Sequence, residues 1–323
     1  MSKNIKNEWL GRMSQMTTKW GIYQHSLYDK VNPEFGYALD DQARAYLVAT
    51  CFGEKKLANT YLNFIKRSVE KNRVWQFFYD KNGGIIPDKE VECSEDALGM
   101  VAWALMETKK EKKIVDLILK QAENWQWPRA IAYLLLGLVN EEKQSELEKK
   151  LTKKLNKAFK KEVGWSWFED YLTYANALLP WALWRQGRIR KDRESLRVAK
   201  EATDFLIETC REGNLPMPIG CKGWYYKGGV KNKYDQQSVD VAYMVCCLKE
   251  AYLATNNNYY LQEAGRWWSW YWGNNTKGVV MVDKNGACFD SVSNVNKVNL
   301  NQGAESTISF LMAYCSLCEI KNK

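Results

Sequence analysis

The sequence contains only one histidine, His25, and six prolines in 323 residues. No run of about 18 apolar residues occurs without charge, so no transmembrane helix is expected. The first residues, MSKNIKNEWLGRM, lack the apolar stretch of a secretory signal. With one histidine, and with Cys315 and Cys318 on a predicted apolar helix, we expect no metal site and no cofactor.

The nine cysteines are an odd number and are scattered along the chain. Cys51, Cys246 and Cys315 fall in apolar stretches that are typical of helices. This usage predicts reduced, buried thiols in a cytoplasmic protein rather than a disulfide framework.

Apolar residues make up 46% of the chain, enough for a large core. The formal net charge is +9. Much of it lies in residues 109–113, 143–161 and 185–200, which we interpret as solvated helix faces rather than as a surface for an anionic partner. No nucleic-acid-binding module is recognisable. We expect one domain over residues 1–323, with neither nucleic acid nor membrane as a partner; the oligomeric state stays open.

Hydrophobic periodicity predicts twelve helices. Their expected ranges are 5–20, 39–53, 55–71, 94–107, 110–125, 128–140, 142–160, 170–186, 191–211, 236–255, 258–272 and 302–319. Pro180 falls inside one of them and predicts a kink or a change of axis.

Two kinds of helix alternate along the chain. The helices at 55–71, 110–125, 142–160 and 191–211 have one apolar face and one charged face. Those between them, with segments such as ALGMVAWALM and AIAYLLLGLV, are apolar nearly all round and must be buried on every side. The alternation predicts an all-α fold, an (α/α)6 barrel of six inner and six outer helices. A helical solenoid is the competing architecture, but no fixed repeat length is present.

The connections also differ in length. The long ones, at 72–93, 212–235 and 273–301, precede inner helices, and long loops gathered at one end of a scaffold commonly carry function. A small β-hairpin is predicted around Asn82-Gly83.

Acidic residues stand at the start of most inner helices, which should meet at one rim. Helix capping is one explanation, and it is our interpretation for Ser94, Glu95 and Asp96. A functional site is the other, because Tyr and Trp residues lie in the same segments. The carboxylates assigned to a site are Asp41, Glu169, Asp235 and Glu305.

Carboxylates beside flat aromatic rings fit a carbohydrate, since rings stack on sugar faces and carboxylates bind hydroxyls and move protons. Glycoside cleavage needs two carboxylates flanking the bond, one of them a protonated acid. In a closed ring of six pairs, Asp41 should face Glu169, with Glu305 as the alternative base. Tyr174, Trp224 and Tyr225 are the candidate stacking residues.

Several segments resemble one family in combination: GIYQHS with GYALDDQARAYLVA, WFEDYLTYANALLP, PIGCKGWYYKGG with YDQQSVD, and VNLNQGAEST. The resemblance covers most of the chain. The family consists of (α/α)6-barrel, glycosidase-like proteins that often occur attached to glycosyltransferases or beside β-mannoside phosphorylases. It implies a role on an oligosaccharide, for example a mannoside or glucoside.

The resemblance also implies which positions form the site. Those carried over by it are Asp40, Asp41, Arg44, Glu169, Asn176, Asp235, Gln236, Gln237, Asn299, Gln302 and Glu305, with catalysis assigned to Asp41, Glu169, Asp235 and Glu305. Asp290 corresponds to a further family aspartate, and the likeness favours a substrate contact for His25. Ala175 stands where the family has an aspartate, which weakens any role at that position.

Four kinds of activity remain open. A glycoside hydrolase or phosphorylase is the leading hypothesis. A sugar epimerase of the same fold would typically use two histidines, and this chain has one. A lyase would need Tyr or His25 as its base. A non-catalytic glycan-binding domain would retain the aromatic rings without needing paired carboxylates.

Overall fold

The computed structural model describes residues 8–69, 76–86 and 94–321. Along the chain, helices are separated by links, and several of these links contain short strands. The helices are α1 Gly11–Met16, α2 Leu39–Phe52, α3 Lys55–Ser68, α4 Glu95–Thr108, α5 Lys112–Ala122, α6 Pro128–Leu138, α7 Glu146–Ala158, α8 Leu178–Arg190, α9 Arg193–Thr209, α10 Ser238–Thr255, α11 Asn258–Trp268 and α12 Ala304–Lys321.

Thirteen short strands occur in the described residues, mostly in the links before the inner helices. They are β1 Ser26–Leu27, β2 Lys30–Val31, β3 Tyr37–Ala38, β4 Phe78–Tyr79, β5 Lys160–Glu162, β6 Trp165–Trp167, β7 Tyr171–Leu172, β8 Arg211–Glu212, β9 Leu215–Pro216, β10 Tyr225–Tyr226, β11 Gln236–Gln237, β12 Ser291–Val292 and β13 Val298–Asn299. They form two-stranded sheets, apart from one three-stranded sheet in the order β11-β12-β13.

The even-numbered helices form a closed inner ring. Each of α2, α4, α6, α8, α10 and α12 packs against the next, and α12 packs against α2 to close the circle. The odd-numbered helices pack outside them, with α3 on α2, α9 on α8 and α11 on α10. The predicted (α/α)6 barrel is confirmed.

The inner helices are buried as their composition requires. In α6, every residue from Arg129 to Leu138 is buried. Two glycines permit a close approach between α4 and α6. A Cβ at Gly99 would lie 2.8 Å from the carbonyl oxygen of Ala130, and one at Gly137 would lie 3.0 Å from the Cα of Trp103. Side chains at these positions would force the two helices apart.

The start of α8 and the effect of Pro180 were predicted wrongly. The helix begins at Leu178 and not near 170, because Tyr171–Leu172 pairs with Tyr225–Tyr226 as a strand instead. Pro180 therefore lies in the first turn, where its missing N–H would have no helical partner in any case. No interior kink is required of it.

The predicted hairpin at Asn82-Gly83 is confirmed. Tyr79 bridges to Ile85, and the Asp80 side chain accepts hydrogen bonds from the backbone N–H groups of Asn82 and Gly84 at 2.7 and 2.9 Å. Gly83 has φ +77°, a conformation that favours glycine. Strand β4 leads into this hairpin and pairs with β3, which lies immediately before α2.

The prediction of uniformly reduced cysteines is wrong for one pair. Cys51 and Cys315 form a disulfide between the neighbouring inner helices α2 and α12. Sequence spacing could not reveal it, because 264 residues separate the two positions. No helix within the described ranges is both long and apolar enough to cross a membrane.

Candidate functional site

Three adjoining cavities occupy the rim where the inner helices begin. The proximal chamber has a volume of about 390 Å³ and lies between α2, α12 and strands β11–β13. The central chamber, about 330 Å³, shares Asp40, Arg44 and Glu305 with it. The distal chamber, about 350 Å³, shares Asp96, Tyr174 and Trp224 with the central one. The expected common polarity of the inner helices is thereby confirmed.

Arg44 organises the proximal chamber. This buried side chain on α2 donates from Nη2 to Asp40 Oδ2 at 2.9 Å and to Asp41 Oδ1 at 2.8 Å. Its Nη1 donates to Glu305 Oε1 at 2.9 Å, across the junction that closes the ring. Three carboxylates thus surround one guanidinium in a largely dehydrated position.

One positive charge cannot balance three negative ones there. Burial, together with the charge of Asp40, raises the pKa of Asp41 well above its ordinary value, although Arg44 opposes the shift. Burial also raises the pKa of Asp40. The Glu305 side chain is 45% exposed, so it faces solvent in the chamber. The cluster therefore combines a buried carboxyl whose pKa is raised with a second carboxyl group that is exposed to the cavity.

The other wall of the proximal chamber carries a second acidic group. Asp290 accepts from Ser306 Oγ at 2.7 Å and from the Gly303 N–H at 2.9 Å, and burial raises its pKa. Four more residues predicted for the site line the same chamber: His25, Asp235, Gln237 and Asn299. His25 is exposed and makes an edge contact with Phe35, with ring centroids 4.9 Å apart.

A second ion pair lies in the distal chamber. Arg129, at the start of α6, donates to Glu169 Oε2 at 2.8 Å, to Thr173 Oγ1 at 2.8 Å and to the Tyr174 carbonyl oxygen at 2.8 Å. Its guanidinium lies 4.8 Å from the centre of the Tyr174 ring. Tyr171 donates to the other oxygen of Glu169 at 2.9 Å. Both charges are thus fully engaged by protein groups.

The start of α4 serves both capping and the site. Ser94 Oγ accepts from the Ala97 N–H at 3.2 Å, which confirms the predicted cap. Asp96, for which capping was the preferred interpretation, lines the central and distal chambers and accepts from the Tyr174 hydroxyl at 2.8 Å. Burial raises its pKa. Its place at the acidic start of an inner helix was the available signal, and capping explained that place equally well.

Asp41 and Glu169 line different chambers. The fold therefore does not bring these two carboxylates together as the first-choice pair. Asp41 shares Arg44 with Glu305, the alternative base, whereas Glu169 is bound by Arg129. The reason lies in the helix packing: α12 brings Glu305 against α2, which carries Arg44, whereas Glu169 lies beside Arg129 on α6.

Four residues predicted to contact substrate lie outside all three chambers. Gln236 is buried and bonds to Lys233 and Thr276. Asn176 is buried and holds the turn at Thr173 through two hydrogen bonds. Gln302 is buried, and its backbone carbonyl accepts a hydrogen bond from Arg12. Tyr225 packs on Trp165, with ring centroids 5.3 Å apart. Each supports a loop of the site.

Beneath the chambers, Asp240 is a buried acid that sequence reasoning missed. It lies in the first turn of α10, and neither carboxylate oxygen has a well-formed hydrogen-bond partner. Burial raises its pKa to about 7, an effect that the nearby amides of Ala175 and Asn176 only partly offset. Ala175 has φ +50°, a left-handed conformation that is unusual for alanine.

No protein-family model and no curated protein matches this chain. Solved structures do. A cellobiose 2-epimerase from Bacillus thermoamylovorans aligns over 100% of both chains at 12% identity, with a TM-score of 0.73. A D-mannose isomerase aligns over 98% of both chains at 13% identity, with a TM-score of 0.74.

An α-1,6-mannanase from Salegentibacter gives a TM-score of 0.67 at 11% identity, over 98% of this chain and 99% of its own. At such identities the likeness concerns the fold, and it places the chain in the class of (α/α)6 barrels. The chemistry has to be argued from the residues at the mouth.

Proposed function

We propose that this protein is a carbohydrate-active enzyme, a glycoside hydrolase that cleaves an oligosaccharide in the cleft formed by the three chambers. The observation that carries the proposal is the Arg44 cluster, which holds Asp41 and Glu305 on one guanidinium at 2.8 and 2.9 Å. Acid–base cleavage needs one protonated and one ionised carboxyl, and the raised pKa of the buried Asp41 beside the solvent-exposed Glu305 supports such a pair.

The roles follow from burial and exposure. Asp41, whose pKa is raised, gives its proton to the glycosidic oxygen as the bond to the anomeric carbon breaks. Water attacks that carbon, and its proton passes to the exposed carboxylate of Glu305. Because both carboxyl groups bind the same guanidinium, they lie closer together than the upper limit of about 9.5 Å for glycosidase pairs. Arg44 keeps Glu305 oriented throughout.

The lining of the cleft supports a sugar ligand. Seven carboxylates and several aromatic rings face it, so hydroxyl acceptors and stacking surfaces occur together. The arginine and lysine side chains among the described lining residues are Arg44 and Arg129, and both are bound by carboxylates. An excess of acidic groups favours neutral sugars over anionic ones.

The test is a screen of manno- and gluco-oligosaccharides for new reducing ends, with and without phosphate. Asp41→Asn and Glu305→Gln should each lower kcat at least about 100-fold, since general acid–base catalysis contributes roughly 10²–10⁴. Glu319→Gln is the matched control, because it alters a glutamate at the other end of the same helix, α12. Full activity in either cleft variant, or the absence of product from every glycan, would overturn the proposal.

Sugar epimerisation or isomerisation is the second candidate, favoured by the epimerases and the isomerase among the similar solved structures. The single histidine argues against a mechanism that uses a histidine pair. The two reactions differ in a direct readout. An epimerase in D₂O transfers deuterium to the carbon next to the carbonyl, whereas a hydrolase increases the number of reducing ends. Binding with neither change would indicate a non-catalytic glycan-binding protein.

A further inference from the structure

Four aromatic side chains besides Tyr171 line the distal chamber, and three of them are unusually exposed. Trp127 is 62% exposed, Tyr226 57% and Tyr174 44%, and Trp224 is half-buried beside them. We name this group the aromatic shelf. Large exposed apolar groups that gather in one concave place mark a binding surface, whereas scattered ones do not.

Separate segments of the chain build the shelf. Trp127 precedes α6, Tyr174 follows β7, and the other two rings come from the link before α10. The pairing of Tyr226 with Tyr171 fixes that link against β7. Trp224 has φ +56°, a left-handed conformation rarely adopted by bulky residues. Such strain persists where the surrounding structure imposes it, and it is commonly found at functional positions.

The polar groups beneath the shelf are already satisfied. Arg129 and Glu169 bind each other at 2.8 Å, and Tyr171 occupies the second oxygen of Glu169 at 2.9 Å. The Tyr174 hydroxyl is bound to Asp96. A ligand here is therefore recognised mainly by the faces of the rings, and the apolar face of a pyranose is the carbohydrate surface that fits them.

We propose that the aromatic shelf is a distal subsite that binds sugar units remote from the Arg44 cluster, so that the natural ligand is a chain of at least three sugar units. This inference rests on the proposed function. The central chamber lies between the proximal and distal chambers, since it shares lining residues with both. A mono- or disaccharide in the proximal chamber would leave the shelf uncovered.

The experiment compares mannose and glucose oligomers of two to six units on wild type, Trp127→Ala and Tyr226→Ala. For oligomers of four or more units, KM should rise about tenfold in each variant, because an aromatic contact of this size is worth about 1.4 kcal/mol. KM for the disaccharide and kcat should stay unchanged. Trp127→Phe should restore most of the loss. Tyr259→Ala, which removes a 42% exposed ring on α11, is the matched control.

Equal losses for short and long oligomers, or no loss for any length, would overturn the subsite. Direct binding measured by calorimetry with the same oligomers separates this inference from the proposed function. If no product forms but binding of long oligomers still weakens tenfold in Trp127→Ala, the hydrolase proposal fails and the shelf stands. If wild type binds long and short oligomers equally, the shelf is overturned whatever the activity.

Discussion

Replacing Asp240 by asparagine should remove part of the pH dependence of unfolding. The carboxyl is buried, and its pKa rises from 3.8 to about 7 in the folded protein. Because the folded-state pKa is the higher one, the folded protein binds this proton more tightly than the unfolded chain does. The stabilising contribution is therefore fully present below about pH 4 and is lost as pH rises through 7.

The magnitude follows from the shift. At 1.36 kcal/mol per pKa unit, a rise from 3.8 to about 7 corresponds to about 4 kcal/mol. About 3 kcal/mol of this should be lost between pH 5 and pH 8, since the unfolded chain is already ionised over that range. Asparagine has the shape of the protonated acid and carries no charge, so Asp240→Asn should be more stable than wild type at pH 8.

The assay is the free energy of unfolding in urea at pH 5, 6, 7 and 8 for wild type and Asp240→Asn. Asp116→Asn, on the exposed side of α5, is the control and should follow wild type at every pH. The difference between wild type and Asp240→Asn should grow by about 3 kcal/mol from pH 5 to pH 8. Parallel curves for the two proteins would refute the assignment of a buried, unpartnered carboxyl.

Three further outcomes are expected. Arg44→Met should abolish turnover and lower the free energy of unfolding by about 3–5 kcal/mol, because the three carboxylates lose the positive charge that they share. The reducing-end assay measures the loss of turnover, and urea unfolding measures the loss of stability. Reducing the Cys51–Cys315 disulfide, or replacing Cys51 by serine, should lower the free energy of unfolding by up to about 5 kcal/mol, because a link between such distant residues restricts the unfolded chain. Thermal melts with and without reductant measure the effect, and Cys318→Ser, on the same helix as Cys315, is the control. Uronate oligomers should bind at least about tenfold more weakly than neutral ones in calorimetry, and stronger uronate binding would contradict the charge argument.

The fold could be predicted from the sequence because the pattern of apolar and polar residues in each helix indicates how far that helix is buried. Segments such as AIAYLLLGLV have no polar face and can form only the inner layer, and amphipathic segments between them form the outer one. Boundaries failed where pairing between distant segments mattered. Tyr171–Leu172 is a strand because Tyr225–Tyr226 lies beside it, and local periodicity does not contain that partner.

The candidate site, like the fold, could be predicted only in part from the sequence. The acidic starts of the inner helices identified most residues of the cleft, since helix polarity brings those turns to one rim. The choice of partners could not be read from spacing. Arg44 meets Glu305 only because α12 closes the ring against α2. Glu169 binds Arg129, again through a contact between segments that are distant in the chain.

By itself, the sequence determined which helices are buried, which end of them carries acidic and aromatic residues, and hence the barrel and its mouth. These properties depend on residue type and on periods of three to four residues, which act locally. Tertiary structure alone decided which carboxylates share a guanidinium, which rings are exposed at the rim, and that Cys51 meets Cys315. Those outcomes depend on the closure of the ring, which joins residues far apart in the chain, and no local pattern specifies such distances.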